Sequence, residues 1–219
     1  MADSFSSLIE HWLPDYGLVP APAMRERMAQ FLALIVDGQR KMRLVGSADP
    51  ELLVRRHLGE SVALTRFLRP PGHLVDLGSG AGFPGLALAL AWPDIKTTLV
   101  EATLKKARFL RAALAALGLE QQVSVCDHFL SRRPPSSGRA PLAGASLVTA
   151  RALEQMDALP DWLPSWLDVG CQASFWISRE RAQAWRQRCP RWAWGEFFPL
   201  HGAERRGIVL AESVSRETA

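Results

Sequence analysis

This sequence predicts a doubly wound α/β sheet, mostly parallel, with a helical segment in front of it. Three observations lead there. From His73 onward, short apolar runs alternate with helical stretches in the order that parallel strands with helical crossovers require. The first of those runs ends in a turn with glycine at 78, 80 and 82, which lets a strand bend sharply into a helix. A chain of 219 residues, 48% of them hydrophobic and 22% charged, can bury one large core.

Taken in order, the chain up to about Leu68 reads as helical. After Pro20-Ala21-Pro22, the side chains Met24, Met28, Phe31, Leu32 and Ile35 recur on one face of a 3.6-residue period. Gly38 and Gly46 bracket a charged connection, and Asp49-Pro50 offers a capping carboxylate followed by proline at the first helical position. A second helix should run to about Phe67, where Pro70-Pro71-Gly72 stops it. Residues 1–70 are thus expected to form a helical segment packed on the core, and 71–214 the sheet domain. Strands are predicted over 74–77, 97–100, 123–126, 146–149 and 173–177, with strand-like segments near 192–198 and 207–210, seven in all. Between them lie helices over 86–90 and 107–117, the latter with Gly118 as a left-handed stop, and a helix over 156–167 broken by Pro160 and Pro164. A basic helix follows over 179–188. The loop 131–144, with three prolines and two glycines, is expected to be exposed.

Composition narrows the function. Cys126, Cys171 and Cys189 have neither the number nor the spacing of a disulfide framework or a cysteine-rich zinc site, and they fit a reducing cytoplasm. No apolar run approaches the ~18 residues of a membrane-spanning helix, so a soluble protein, by default a monomer, is expected. The net charge of +4 is unevenly placed: residues 25–69 hold nine Lys/Arg against five Asp/Glu, and residues 179–206 hold seven Arg against three Glu. Such flanks suit an anionic partner. Arg40, Lys41, Arg43, Arg55 and Arg56, on the helical segment, are the candidates for nucleic-acid phosphate contacts. The later arginines interleave with Trp185, Trp192 and Trp194, a spacing that reads first as core packing and second as a stacking surface.

In a doubly wound sheet ligands sit beyond the carboxyl ends of the strands, which directs attention to the loops after Asp76, Val100, Cys126 and Thr149. Asp76 lies just before the glycine turn, where a carboxylate repels a pyrophosphate but can hold an ammonium-bearing ligand directly or through water. Glu101 ends the next strand, 25 residues on, in the place where an acid accepts ribose hydroxyls. Asp127 ends the third strand, in reach of an adenine amino group. A cationic nucleoside with an amino-acid tail, S-adenosylmethionine, answers all three acids. No metal site is expected.

The stretches Leu74-Val-Asp-Leu-Gly-Ser-Gly-Ala-Gly-Phe-Pro-Gly-Leu-Ala-Leu-Ala89, T-L-V-E-A (98–102), L-K-K-A-R-F-L-R (104–111), T-A-R-A-L (149–153) and D-P-E-L-L-V-R-R-H-L-G-E-S (49–61) resemble the bacterial glucose-inhibited division protein B family, also called RsmG. The resemblance spans about residues 25–170. It implies a Rossmann-like, class I S-adenosylmethionine-dependent methyltransferase that modifies N7 of one guanine in 16S ribosomal RNA, acting on the small-subunit RNA or the 30S particle in the cytoplasm. It places Gly78, Phe83, His128, Phe129, Leu130 and Arg151 beside the cofactor, along with the glycine turn at Gly80 and Gly82. Arg151 is expected to position the base or the cofactor carboxylate, and His57 is a candidate catalytic group by resemblance alone. The chain departs from the family at Arg43-Leu44-Val45, where N-L-T is common, at His128, where arginine is frequent, and at Phe175-Trp176-Ile177-Ser178, where a lysine-containing A-L-K-G end is usual. A diverged methyltransferase with another substrate, or a non-catalytic RNA-binding protein, stays open on those departures.

Overall fold

The computed structural model describes residues 2–127 and 142–215. Seven strands form one sheet in the order β3-β2-β1-β4-β5-β7-β6. They are β1 (His73–Leu77), β2 (Lys96–Val100), β3 (Val123–Cys126), β4 (Leu147–Arg151), β5 (Gln172–Ser178), β6 (Trp192–Leu200) and β7 (Ala203–Ser213). The first five are parallel; β7 runs antiparallel to β5, and β6 antiparallel to β7. Strand order reverses between β1 and β4, so the crevice beyond their carboxyl ends lies at the topological switch point. From Leu74 to Leu77 the first strand is buried on both faces, as a central parallel strand must be.

Two apolar clusters cover the two faces. On one face, α1 (Ala2–Trp12) inserts Phe5 and Ile9, and α2 (Pro22–Gln39) inserts Met28, Phe31, Leu32 and Ile35. They pack with the helix Gly85–Ala91 and with Leu74, Leu99 and Trp176 of the sheet. Helix Gly85–Ala91 is apolar all round and buried all round because it is sandwiched between the sheet and the N-terminal helices. The other face carries Val75, Val148 and Phe175 against Leu163, Trp185 and Trp192. The rings of Trp185 and Trp192 meet Phe175 edge-on at 5.3 and 5.7 Å, so these tryptophans are packing residues rather than stacking platforms.

Three elements differ from the sequence reading. Asp49 caps the third helical run as expected, accepting from the Leu52 N–H at 2.9 Å, but the run is not one helix. It passes from α (Pro50–Leu52) through a π-helix (Leu53–Gly59) and α (Glu60–Val62) to a 3₁₀ turn (Ala63–Arg66). The predicted helix over 156–167 is likewise a chain of short pieces, Met156–Ala158, Leu159–Trp162 and Leu163–Ser165. Pro160 and Pro164 cannot donate to a continuous ladder, so each restarts the winding. The last strand is longer than 207–210: it starts at Ala203, which pairs with Leu200 of β6 across a register shift, Arg206 pairs with Ser178 of β5, and the strand runs on to Ser213 against Trp192.

Among the hydrogen bonds that fasten the N-terminal run to the sheet, the indole N–H of buried Trp176 in β5 donates to the carbonyl of Glu60 at 2.7 Å. Trp176→Phe keeps an aromatic ring and deletes the donor. Urea unfolding is expected to show a loss of about 1–3 kcal/mol; an unchanged midpoint would mean the bond contributes nothing.

Candidate active site

The cleft is built from the glycine turn outward. The N–H groups of Gly78 and Ser79 both donate to the carbonyl of Val100, at 2.8 and 3.1 Å, which ties the end of β1 to the end of β2. Gly78 and Gly80 adopt left-handed backbone, φ +68° and +57°, a region that side-chain-bearing residues enter at a cost. A Cβ at Gly78 would also overlap a methyl carbon of Leu153, so that side chain would have to shift.

Glu101 sits at the head of the turn. Its Oε2 accepts from the Gly80 N–H at 2.8 Å and its Oε1 from the Thr103 N–H at 2.7 Å. The carboxylate lines the cleft and uses only part of its acceptor capacity on these two bonds, so hydroxyls of a bound ribose remain within its scope. The Gly80 N–H, by contrast, is spent on Glu101 rather than offered to a ligand.

Asp76 corrects the expectation placed on it. It is fully buried beneath the turn, with Oδ1 accepting from Thr149 Oγ1 at 2.7 Å and Oδ2 from the Gly85 N–H at 3.1 Å, and it does not line the cleft. Burial pushes its carboxyl up to about 6 against the pull of those hydrogen bonds. It is a brace joining β1, β4 and the start of helix Gly85–Ala91. Gly82 is also behind the wall, where a Cβ would press on Phe31 and Leu86. Asp127 is half-exposed and pairs with Arg111 at 3.3 Å, and it is not among the described residues of the cleft wall. His128, Phe129 and Leu130, and nearly all of the predicted 131–144 loop, lie outside the described residues.

The opposite wall comes from the N-terminal segment. Leu44, Val45 and Gly46 line it, held by Gln39, whose Oε1 accepts from the N–H groups of Leu44 and Val45 at 2.7 and 3.1 Å while its Nε2 donates to the Val45 carbonyl at 3.0 Å. His57 and Phe83 also line it, their rings 5.2 Å apart. Burial first, then the charges of Arg151 and Arg56, holds His57 down at about 4, so the ring is neutral at pH 7.

Arg151, at the end of β4, lines the cleft, but its guanidinium is committed to the N-terminal run. It donates to Glu60 Oε2 at 2.7 Å, to the carbonyls of Arg56 and His57 at 2.6 and 3.4 Å, and to Ser61 Oγ at 3.3 Å. Those carbonyls belong to the π-helical turn, a winding that recurs at functional sites. Its neighbour Ala152 is, among the described residues, the one non-glycine with positive φ, +53°, and it too lines the cleft. Arg151 therefore acts first as a strut, whereas the sequence led one to expect it to position the base or the cofactor carboxylate.

Among the residues expected to meet nucleic acid, Arg55 is taken out by its partners. It pairs with Glu51 at 3.0 Å and lies 4.1 Å from the Trp12 ring. Arg40, Lys41, Arg43 and Arg56 are exposed. Gln39, Glu60, Thr149, Ala152 and Lys106 were missed, because each takes its meaning from a neighbour that local pattern does not reveal. Among the described residues no group of three or more His, Cys, Asp or Glu could hold a metal, and no helix is long and apolar enough to cross a membrane.

The cleft encloses about 560 Å³, the size of a small-molecule site. The family model for rRNA small subunit methyltransferase G, GidB, matches residues 24–192. The chain belongs to this family. A Myxococcus xanthus member, ribosomal RNA small subunit methyltransferase G, is 32% identical over 206 residues, covering 90% of this chain and 92% of that protein. The Halorhodospira halophila member is 48% identical over 101 residues, which is 46% of this chain and 47% of that protein. The solved RNA methyltransferase from Salinibacter ruber in complex with S-adenosyl-L-homocysteine superposes with a TM-score of 0.51 at 16% identity, over 73% of this chain and 91% of that one. The fibrillarin/Nop5p complex gives 0.57 at 12% identity, over 78% and 88%. These likenesses show the fold, the Rossmann-like sheet of class I methyltransferases. For this GidB-family chain the fit to S-adenosylmethionine rests on the side-chain-free turn at Gly78 and on a half-used carboxylate, Glu101, facing the cleft.

Two substitutions test the geometry. Gly78→Ala is expected to cost about 1–2 kcal/mol from backbone strain plus the overlap with Leu153, and Leu153→Ala in the same chain should recover the overlap part in urea unfolding; strict additivity would contradict the contact. His57 in the unfolded chain titrates near 6.5 and in the folded chain near 4, so the fold loses stability as pH falls between those values. His57→Gln is expected to remove that loss, gaining on the order of 2 kcal/mol on wild type at pH 5 relative to pH 7. Parallel stability curves for the two proteins would contradict it.

Proposed function

We propose that this protein transfers a methyl group from S-adenosylmethionine to N7 of a guanine in 16S ribosomal RNA, free or within the 30S particle, in the cytoplasm. The observation that carries this reading is a cleft of about 560 Å³ at the switch point whose described walls hold, besides exposed Glu154, only two proton acceptors, each of them constrained. Neutral His57 is held down near 4, and Glu101 is tied to two backbone N–H groups. Guanine N7 presents a lone pair and no proton, so its alkylation needs no base. S-adenosylmethionine supplies the methyl group and the sulfonium leaving group.

The chain's own part is placement. Gly78, whose N–H is held by Val100, keeps that part of the cleft free of a side chain, and Glu101 accepts from ribose hydroxyls and fixes the sugar. Phe83 and His57 offer flat, neutral faces beside the reacting base. Proximity and alignment of this kind are worth ~7–11 kcal/mol. Positive charge grows on the purine as it is alkylated while the sulfonium loses its own, so the net charge in the cleft does not rise during the step.

With methyl-labelled cofactor and 16S RNA or 30S particles lacking the modification, nuclease digestion and mass spectrometry should find the label in N7-methylguanosine. The turnover rate should be flat from pH 6 to 8, since no group in the cleft needs to titrate there. Label in any other nucleoside, no label at all, or a bell-shaped profile would contradict the proposal.

A further inference from the structure

The stretch Leu104-Lys-Lys-Ala-Arg-Phe-Leu-Arg111 opens the helix Leu104–Leu117 at the rim of the cleft, and of its cations only Lys106 and Arg111 figure in the site described above. The loop that carries Arg40, Lys41 and Arg43 packs against this helix. Gly38 is so close to Leu44 and to the Phe109 ring that a Cβ there would stand 2.6 and 2.8 Å from them, and Gln30 of α2 donates to the Ala116 carbonyl at 3.0 Å. Leu44, Val45 and Gly46 from the loop and Thr103 and Lys106 from the helix line one cleft. Two segments more than 60 residues apart in sequence therefore bring six cations, Arg40, Lys41, Arg43, Lys105, Lys106 and Arg108, to one edge of it.

These cations have almost nothing to neutralise them. Among the described residues only Arg40 reaches a carboxylate, that of Asp37 at 3.9 Å with both side chains mostly exposed. Lys105 and Arg108 are exposed, three residues apart on one helix face, and neither is used in packing. The arginines of the helix Arg179–Arg188 and of β7 are different. Arg206 bonds Glu60 at 3.2 Å and Arg179 lies 4.4 Å from the Phe197 ring. Arg181 pairs with Asp157, and Arg188 with Asp161. Uncompensated charge beside a cleft is what a polyanion needs, and partnered arginines are what a fold needs.

We infer that the edge formed by the Arg40–Arg43 loop and the Lys105–Arg108 turn is the phosphate track for the RNA strand that delivers the target base, with Lys106 at its inner end. The strand approaches over the glycine-turn side of the cleft, and the partnered arginines of the β6–β7 side take no part. This rests on the methyl-transfer reading above and adds the side from which the substrate enters.

The test measures the affinity of the full-length protein for a 16S RNA fragment across 50–300 mM salt, alongside its affinity for S-adenosylhomocysteine. The variants are Lys105→Glu/Arg108→Glu, the milder Lys105→Gln/Arg108→Gln, and Arg205→Glu from β7. The charge-reversed pair should weaken RNA binding at least tenfold and the neutral pair less. The slope of log affinity against log salt should flatten by about 0.7 per lost single-strand contact, or about 1.4 for the pair. S-adenosylhomocysteine affinity should stay unchanged. Unchanged RNA affinity and slope in both pairs, or a loss seen only in Arg205→Glu, would overturn the inference while leaving methyl transfer standing. A wild-type protein that binds S-adenosylhomocysteine but no 16S RNA would overturn both.

Discussion

Glu60 carries its carboxylate into the interior at 3% exposure, and two arginines make that tenable. Arg151, from the end of β4, reaches one oxygen at 2.7 Å, and Arg206, from β7, reaches the other at 3.2 Å. An isolated buried charge is prohibitively costly, and removing one partner from such a set leaves about 3–5 kcal/mol uncompensated. With Trp176 bonded to its carbonyl, Glu60 ties the N-terminal run to three strands, β4, β5 and β7. The wall of the cleft that holds His57 stands where it does because of that knot. The departure from the family pattern at Phe175-Trp176-Ile177 acquires a structural meaning here, since Trp176 contributes one of its strands.

The other wall is secured by a different economy of hydrogen bonds. Glu101 joins the turn after β1 to the turn after β2 through the Gly80 and Thr103 N–H groups, while Asp76, directly below, braces β1 against β4 and helix Gly85–Ala91. The two acids, both expected from sequence to face the ligand, divide into a cleft-lining one that can meet it and an internal one that cannot. Asp76 and His57 titrate in opposite senses. Burial raises Asp76, so its proton is held more tightly in the folded chain and its contribution to stability falls as pH rises toward 6, whereas His57 contributes in the opposite direction over nearly the same window.

What was legible in the sequence was what depends on neighbours in the chain. The glycine turn, the Asp49 cap, the Gly118 stop and the alternation of strand and helix are local signals, and the doubly wound, mostly parallel sheet follows from them, whereas the order of its strands does not. The fate of a polar side chain was not legible, because its partner comes from elsewhere. Thr149 meets Asp76 across 73 positions and Arg151 meets Glu60 across 91, so a motif residue that looked exposed to ligand proved to be framework. The π-helical turn escaped for a related reason. Its carbonyls are satisfied from outside by Arg151, and no local pattern in V-R-R-H-L-G announces a donor that arrives from β4.

The two halves of the cleft thus have separate foundations, a glycine turn clamped by Glu101 and a helical wall clamped by Glu60, and the account requires that a nucleoside cofactor occupy the space between them. The most direct measurement is isothermal titration of the purified protein with S-adenosylhomocysteine, with Glu101→Ala alongside. Micromolar binding that weakens by roughly tenfold in the variant, about 1.4 kcal/mol, is the result the account predicts. Absence of detectable binding to the wild-type protein would contradict it.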